Sequence, residues 1–388
     1  NCKRCRMPLT LNSSHKVDCV RVTCIEYLHA LPHIFRSASD SMRLEAAAMF
    51  GAVFEDFLTL REVLSSRSST IRLTGVLGHG LPAPETIGPH ASSSECWEFT
   101  TDVNDLDQFI VRSAARGDSI LIIAPESQGT LCRLIQLVEE NAVNNDQLIG
   151  VPSKWIRVFS DKMDCHQWLS DRSIPSIPTS TMVYDQKQLF PGTVVIKPRD
   201  GVGSDRVFCG TYNDCLARVQ HSNGAAGTRP FNGSEWIIQP FISGKSYSIG
   251  FLGSGVAGKS IALPPTEQFV HLDDGLLAYK GGRIGICDVA SEADRSRIRK
   301  LQSLLQPSLP AFRGYLGVDI VVPEDANLGA LAVEINPRLC TSYVGYRQFL
   351  KGNLAAQMLA LGDLTIDINE QTSRSVRFDV SGNFVLDP

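Results

Sequence analysis

The sequence predicts an α/β domain followed by a larger region of α+β structure. An apolar run at residues 119–124, a loop and a helical period follow one another, which is typical of an α/β unit. From residue 192 onward, short β-prone runs outnumber the segments with a helical period. The 388 residues suffice for two or three domains of roughly 150 residues each.

Composition and charge exclude several classes of protein. Hydrophobic residues make up 43% and charged residues 20%, which excludes collagen-like, coiled-coil and wholly disordered chains. The net charge of -4 provides no general basic field for nucleic acid. No apolar run approaches the roughly 18 to 20 residues of a membrane helix, and no secretory signal is visible. We therefore expect a cytoplasmic protein without nucleic-acid or membrane partners.

The cysteines leave two interpretations open at the start of the chain. Eleven cysteines, an odd number spread over long segments, favour reduced thiols over a disulfide framework. Cys2, Cys5, Cys19 and Cys24 form either a four-thiolate zinc site or an incidental cluster, and their spacing favours the second. Residues 1–20 have no clear period and are predicted to be disordered.

The first domain is predicted to span residues 21–150. Apolar residues recur at helical spacing over residues 42–60, which predicts an amphipathic helix. The buried strand 119–124 runs into residues 125–129, and a helix follows. Because a loop at the carboxyl end of a parallel strand commonly binds ligands, residues 125–129 are a candidate binding loop. The Pro-containing stretch 149–153 is predicted to be the boundary to a new domain.

The second half is predicted to begin with a helix and to continue mainly as strands. Its predicted helices cover residues 161–169, 212–220 and 292–305, and its predicted strands cover 194–197, 235–239, 247–252, 317–322 and 331–335. Residues 363–388 are interpreted as a polar C-terminal extension with two short strands.

One segment matches the sequence pattern of the phosphate-binding P-loop. Residues 253–260 fit the pattern G-x-x-x-x-G-K-[ST] and follow a predicted strand. The P-loop also needs a helix that begins at its Lys-Ser pair, and Pro264 and Pro265 disfavour a helix there. We predict a Gly-rich turn between antiparallel strands, which makes Lys259 a surface lysine. A P-loop NTPase or kinase is the alternative.

A second candidate phosphate site combines a lysine with a glycine loop. Lys197 ends a buried strand, and the loop after it contains Gly201, Gly203 and Ser204. Glycines allow backbone N–H groups to approach anionic oxygens, and the lysine offers a positive charge to the same group. The alternative is a structural strand followed by a tight turn.

Polar residues interrupt two later apolar strands. Asp319 lies among valines and isoleucine, and Glu334 and Asn336 are two residues apart, so both face one side of their strand. Arg338 follows after two further residues. Carboxylate and amide oxygens suit Mg²⁺, which keeps several waters and binds nucleotide phosphates, and Mn²⁺ suits the same ligands. Solvent-facing residues on an edge strand are the alternative.

These residues resemble the ATP-grasp superfamily of carboxylate-amine ligases over roughly residues 151–361. The segment 334–338 is the most specific match, because it resembles the family's metal-binding strand. The resemblance implies a two-lobed ATP-grasp fold, with lobes at residues 151–236 and 237–362. It also implies ATP and Mg²⁺ as cofactors, with Asp319 as the second metal carboxylate.

The resemblance implies further roles in ATP binding. Lys162 and Lys197 are similar to the family's two ATP lysines, and Gly201, Gly203 and Ser204 to its mobile phosphate loop. Gln239, in place of the more usual glutamate, and Ile242 resemble the segment that holds adenine. Lys280 and Arg283, placed in a Gly-containing loop, are candidates for the γ-phosphate or a substrate carboxylate, with a solvated loop as the alternative.

The sequence also departs from the family pattern. Lys245 and Ser246 occupy the region of a ribose-binding glutamate, and Gly317 stands where some members carry an arginine. Arg338 is therefore the predicted stabiliser of the developing oxyanion. Within the superfamily, the segments 123–126, 279–283 and 338–345 are most similar to the tyramine–L-glutamate ligase group, which serves methanofuran-type cofactor synthesis.

The predicted activity is ATP-dependent ligation of a carboxylate to an amine through an acyl phosphate, with release of ADP and phosphate. Arg338 and Lys197 are the predicted catalytic residues. The resemblance implies small-molecule substrates, an amino acid such as glutamate and an amine such as tyramine, and is compatible with a homodimer. A non-catalytic ATP-binding module is a further alternative.

Overall fold

The computed structural model describes residues 19–66, 69–84, 87, 96–182, 192–201, 206–224, 232–285, 290–361, 367–371 and 375–387. Cys2 and Cys5 of the N-terminal cysteine group lie outside these residues, and Cys24 is buried in the first strand. Within the described part of the chain, no helix is long and apolar enough to cross a membrane.

The first part of the chain forms a parallel α/β sheet. Its strands are β1 (Val20–Glu26), β2 (Ile71–Gly78), β3 (Trp97–Thr100), β4 (Ser119–Ile123) and β5 (Leu148–Ile149). Its helices are α1 (Tyr27–Ala30), α2 (Pro32–Ser37), α3 (Asp40–Ser65), α4 (Val103–Ala115) and α5 (Thr130–Asn141). The strand order is β3-β2-β1-β4-β5, and every neighbouring pair is parallel.

Alternation along β4 explains why this sheet is covered on both faces. Ile120 and Ile122 belong to the core that α4 and α5 complete, whereas Leu121 and Ile123 belong to the core of α3. The strand order reverses between β1 and β4, so the loops after these two strands diverge and leave a crevice at their carboxyl ends. The loop at residues 125–129, predicted from the sequence, lies at this crevice.

The second part is built on a largely antiparallel sheet of twelve strands. Its strands are β6 (Ser180–Thr181), β7 (Thr193–Pro198), β8 (Phe208–Thr211), β9 (Trp236–Pro240), β10 (Gly244–Ser254), β11 (Ile261–Ala262), β12 (Thr266–Asp273), β13 (Leu276–Ile284), β14 (Arg313–Pro323), β15 (Leu331–Asn336), β18 (Ser375–Asp379) and β19 (Phe384–Asp387). β16 (Leu350–Lys351) and β17 (Asp367–Gln371) pair separately. The helices are α6 (Ser153–Ser160), α7 (Lys162–Asp171), α8 (Tyr212–Gly224), α9 (Glu292–Ser308), α10 (Ser342–Phe349) and α11 (Leu354–Met358).

Strand alternation also separates a core face from a cleft face in this sheet. In β7, Val194 and Ile196 pack in a small core with α8, while Val195 and Lys197 face the cleft. The main strand order is β15-β14-β10-β12-β13-β8-β7-β9-β6. For the C-terminal segment the sequence predicts an extension with two strands; its described residues form three, and β18 lies beside β13 in this sheet.

Buried polar contacts join α3 of the first part to α10 of the second. Tyr343 donates its hydroxyl to Oδ2 of Asp56 at 2.6 Å, and Nε of Arg347 donates to Oδ1 of the same carboxylate at 2.9 Å. Burial raises the pKa of Asp56, and these two donors oppose that rise. Because α10 begins just after β15, these contacts link the first sheet to the segment that follows the predicted metal strand.

Candidate active site

The predicted metal ligands lie together on two neighbouring strands. Asp319 of β14 pairs with Glu334 of β15, and Nδ2 of Asn336 donates to Oδ2 of Asp319 at 2.9 Å. Gln268, on β12, donates from Nε2 to the other Asp319 oxygen at 2.9 Å. Two carboxylates and two amide side chains therefore meet at one end of a cleft that all four line. Such a set of hard oxygen donors fits Mg²⁺.

Lys197 reaches this cluster from the opposite wall of the cleft. Its Nζ lies 3.0 Å from Oε2 of Glu334, although β7 and β15 are far apart in the order of the sheet strands. The sheet therefore bends so that its two ends face each other across the cleft. Lys197 is 6% exposed, so its charge is held in a partly desolvated setting.

The pKa values of the two carboxylates are shifted in opposite directions. Burial raises the pKa of Asp319 to about 7, the charge of Glu334 adds to that rise, and hydrogen bonds from Asn336 and Gln268 oppose it. Burial also acts to raise the pKa of Glu334, but the charges of Lys197 and Lys162 outweigh it and lower the pKa to about 2. Ionisation of Asp319 beside the ionised Glu334 is unfavourable because the two negative charges repel each other. A divalent cation bound to both would offset this repulsion.

Lys162 approaches the same region from the first turn of α7. Its Nζ donates to the carbonyl oxygen of Gly201 at 2.8 Å. Burial lowers the pKa of Lys162, and the charge of Lys197 adds to this effect, while Glu334, Glu126 and Asp200 oppose it. The two lysines and Gly201 therefore lie close together at the metal end of the cleft.

Arg338 joins the cleft to the first sheet. Its Nε donates to Oε2 of Glu126, in the loop after β4, at 2.9 Å, and its Nη1 donates to the carbonyl of Leu339 at 3.0 Å. Burial disfavours the charge on Arg338, but the carboxylates of Glu126 and Glu45 outweigh it and hold its pKa above the ordinary value. The guanidinium therefore stays charged in the cleft that Asp319, Glu334 and Asn336 also line.

The other end of the cleft is apolar and suits a planar ring. Val195, Val207, Leu277 and Ile320 line it, together with Gln239 and Ile242. Gln239 is 4% exposed and donates from Nε2 to Oγ1 of Thr179 at 2.8 Å, which orients its amide. An apolar slot at one end and cations with acidic ligands at the other form the pattern expected for a nucleoside triphosphate site.

Comparisons with known proteins agree with this geometry. Residues 159–342 match the family model described as ATP-grasp domain. The chain contains an ATP-grasp domain.

Two curated relatives of the chain share a name. Tyramine–L-glutamate ligase of Methanocaldococcus fervens is 25% identical over 231 residues, or 59% of this chain and 62% of the relative. The protein of the same name from Methanocaldococcus jannaschii is 23% identical over 59% of this chain and 58% of its own length. The matched region thus spans less than two thirds of either ligase.

Solved structures extend the likeness to nearly the whole chain. An ATP-grasp superfamily protein from Archaeoglobus fulgidus has a TM-score of 0.60 and 20% identity, with 95% of this chain and 98% of that chain covered. L-amino acid ligase from Bacillus licheniformis has a TM-score of 0.58 and 14% identity, with 92% and 79% covered. The predicted fold, an α/β domain followed by an ATP-grasp fold, is therefore confirmed.

The structure does not place every candidate residue of the ATP-grasp domain at the cleft. Lys280 and Arg283 lie on β13 and not in a loop, so that prediction of local structure is wrong. Neither residue lines the cleft in the described part of the chain, and Nη2 of Arg283 lies 2.9 Å from Oε2 of Glu267. Gly203 and Ser204 lie outside the described residues, so their predicted role in the phosphate loop stays a prediction.

The predicted Gly-rich turn at residues 253–260 is confirmed, and the alternative P-loop is excluded. β10 turns back into β11, and the pairing of Phe251 with Ala262 closes an antiparallel hairpin. Lys259 is exposed, and no helix begins at the Lys-Ser pair. A P-loop would aim a helix N-terminus at phosphate, and this turn presents none.

Two departures from the family pattern have physical explanations here. A Cβ at Gly317 would lie 2.5 Å from Sγ of Cys340, so the thiol occupies the space that an arginine side chain would need. Lys245 lies 3.5 Å from Asp294, whereas Ser246 lines the cleft. Of this pair, Ser246 is therefore the residue with access to the cleft.

Sequence reasoning gave no site role to three residues at or beside the cleft. Gln268 and Glu126 contact predicted site residues, but each lies on an element that the sequence did not connect to the metal strand. Glu45 of α3 lines the cleft and accepts a hydrogen bond from Thr341 at 2.6 Å. Only Glu126 had a detectable signal, because it follows a parallel strand in the loop position that commonly binds ligands.

Proposed function

We propose that this protein is an ATP-dependent ligase that joins a carboxylate to an amine through an acyl phosphate, with release of ADP and phosphate. The facing arrangement of Lys197 and the Asp319–Glu334–Asn336 cluster across one cleft is the observation that supports it most. The ATP-grasp domain and the names of the similar ligases favour the same reaction.

The geometry suggests how ATP would bind. The adenine ring fits the apolar end beside Gln239 and Ile242, and Lys162 and Lys197 face the phosphates. Asp319, Glu334 and Asn336 are the residues that would hold Mg²⁺, which supplies charge neutralisation at the transferred phosphate when bound. With both bound, Glu334 would turn from Lys197 to the metal ion, and Lys197 would be left to face the phosphates.

The reaction consists of two balanced steps. A carboxylate oxygen attacks the γ-phosphorus, and the bond to ADP breaks. An amine nitrogen then attacks the acyl carbon, the bond from this carbon to the phosphate oxygen breaks, and the nitrogen loses a proton. Arg338 lines the same cleft, and we assign it the role of stabilising the oxyanion of the tetrahedral intermediate, a contribution of about 3 to 4 kcal/mol in comparable sites.

A finer proposal concerns the substrates. Both curated relatives bear the name tyramine–L-glutamate ligase, so L-glutamate and tyramine are the first pair to test. An identity of 25% supports the reaction class better than it supports this pair, because substrate-contacting residues vary among relatives that keep the same chemistry.

Mass spectrometry for a new amide tests the proposal. The full chain is incubated with ATP, Mg²⁺ and a panel of amines and amino acids that includes tyramine and L-glutamate, and ADP release is measured in parallel. We expect one amide and an equal amount of ADP. ADP release without an amide from any pair would favour an ATPase or an ATP-binding module instead.

A further inference from the structure

Glu126 has an unused carboxylate oxygen at a second cavity beside the cleft. The residue is 5% exposed, and its Oε2 accepts the hydrogen bond from Arg338. Its Oε1 is buried and has no hydrogen-bond partner among the described residues. A buried carboxylate oxygen without a hydrogen-bond donor costs free energy, and a ligand that donates a hydrogen bond to it would remove that cost.

This cavity, which we call the α5 cavity, has about 390 Å³ and charged walls of both signs. The residues that line it include Glu126, Arg133, Gln136, Arg157, Asp161 and Asp200. It adjoins the end of the cleft where Lys162 lies. Asp161 and Asp200 of the cavity wall each precede one partner of the hydrogen bond between Lys162 and the carbonyl of Gly201.

Most of these charges already have partners. Asp161 accepts from Nε of Arg199 at 2.7 Å, and Arg133 lies 2.6 Å from Asp107. Asp200 accepts from the backbone N–H of Gln128 at 2.8 Å. Arg157 is exposed and has no carboxylate partner in the described part of the chain, where it contacts Sγ of Cys132 at 4.0 Å. Among the described residues, Arg157 is thus a cation with free capacity, and Glu126 is a buried carboxylate with one free oxygen; Asp200 also keeps a free oxygen.

We propose that the α5 cavity binds an amino acid as a zwitterion, with its ammonium group on Oε1 of Glu126 and its carboxylate on Arg157. This inference rests on the proposed ligase function and assigns part of its substrate site. An anion alone would leave the Glu126 oxygen without a donor, and a simple amine would leave Arg157 unused. A molecule with both charges satisfies both groups.

The position of Glu126 gives this site access to the reaction. Its second oxygen accepts a hydrogen bond from Arg338, which lines the cleft. The Glu126 carboxylate would therefore bridge a bound ammonium group and that guanidinium. Glu126 is then a specificity-determining residue that distinguishes an amino acid from the same acid without its amino group.

Thermal-shift titrations with the full chain and saturating MgADP test the assignment. The probes are the common L-amino acids, and glutarate serves as the counterpart of L-glutamate without the amino group. The variants are Glu126→Gln, which keeps an acceptor for Arg338, and Arg157→Ala. Glu140→Gln is the matched control, because Glu140 is exposed on α5 and does not line the α5 cavity.

At least one L-amino acid should stabilise the wild type, and both variants should weaken its binding about tenfold or more, as expected for the loss of a charge-assisted hydrogen bond. Glu126→Gln should also reduce the preference for the amino acid over its counterpart without the amino group, an effect that a merely structural role would not produce. Affinity for MgADP should stay at the wild-type value in all variants.

No stabilisation by any amino acid, or equal binding by wild type and variants, would overturn the assignment. If the wild type still forms an amide in that case, the proposed ligase function stands and only the assignment of amino-acid binding to the α5 cavity is rejected. Conversely, the absence of any amide and of amine-dependent ADP release contradicts the ligase function, whatever binds in the cavity.

Discussion

Lys197 and Glu334 lie 3.0 Å apart across the cleft although 137 residues separate them in the chain. The contact joins the end of β7 to β15, and the charge of Lys197 helps to lower the pKa of Glu334 to about 2, so this carboxylate is ionised at neutral pH. If a metal ion and a nucleotide bind as proposed, Glu334 would hold the metal ion and Lys197 would face the phosphates in place of this contact.

Removal of either partner should abolish ligation. Glu334→Gln takes away one metal carboxylate, and Lys197→Ala takes away a charge that faces the phosphates. We expect each to lower kcat for amide formation by about 10²-fold or more, because groups that stabilise developing charge contribute at that level. Steady-state ADP release in the presence of both substrates measures the effect, and activity within a few-fold of wild type would contradict the assignment.

Lys259 provides the matched lysine control. It is exposed in the turn between β10 and β11. Lys259→Ala should change activity by about twofold at most, since surface substitutions away from a site usually shift free energies by no more than ~0.5 kcal/mol. A loss similar to that of Lys197→Ala would restore the P-loop interpretation.

The response to magnesium should depend on pH. The pKa of Asp319 is raised by burial and by Glu334 to about 7, above its ordinary value, so ionisation of Asp319 costs folded-state stability as the pH rises through this range. A cation bound to Asp319 removes that cost. The rise in Tm caused by Mg²⁺ should therefore be larger at about pH 8 than at about pH 6.

Asp319→Asn serves as the control for that experiment. The variant has no carboxylate to ionise at this position, so we expect a small Mg²⁺ response with little dependence on pH. An equal response in wild type at both pH values, or a larger response at the lower pH, would contradict the placement of the metal at Asp319.

Arg338 should affect catalysis more than nucleotide binding. It is held by Glu126 on the side of the cleft nearest the first sheet. Arg338→Ala should lower kcat by about 10²- to 10³-fold, the usual cost of one oxyanion donor. Arg338→Lys should restore little, because an ammonium cannot reproduce the planar fork that Glu126 orients. Affinity for MgADP, measured by calorimetry, should be nearly unchanged; a weaker affinity with an unaltered kcat would assign Arg338 to nucleotide binding.

The contact between α3 and α10 should matter for stability. Tyr343→Phe removes the hydroxyl that donates to the buried Asp56, which should lower the free energy of unfolding by about 1 to 3 kcal/mol. Tyr212→Phe is the comparison, because no hydrogen bond of the Tyr212 hydroxyl is found within the described residues. Urea denaturation measures both, and equal stabilities would show that the Asp56 contact contributes nothing.

Local patterns predicted those parts of the site that lie within single elements. The spacing of Glu334 and Asn336, the polar interruption at Asp319 and the lysine at the end of β7 were all visible in the sequence. Their convergence was expected from the resemblance, since a 137-residue separation leaves no local trace.

The remaining contacts depend on tertiary packing. Glu126 and Arg338 are 212 residues apart, and nothing in either segment indicates that the loop after β4 binds the end of the metal strand. Helix α6 was missed because the Pro152 region was interpreted as a boundary, although Ile156 and Phe159 are both buried on it. Lys280 and Arg283 were assigned to a loop because glycines separate them, yet those glycines lie within β13, where neighbouring chain leaves no room for side chains.

Isotope transfer tests the central claim most directly. A carboxylate substrate identified by the amide assay is labelled with ¹⁸O in its carboxyl group, and the inorganic phosphate formed with the amide is analysed by mass spectrometry. An acyl phosphate requires one labelled oxygen to move from the carboxylate to phosphate in each turnover. Phosphate without label, or release of AMP and pyrophosphate, would contradict the mechanism.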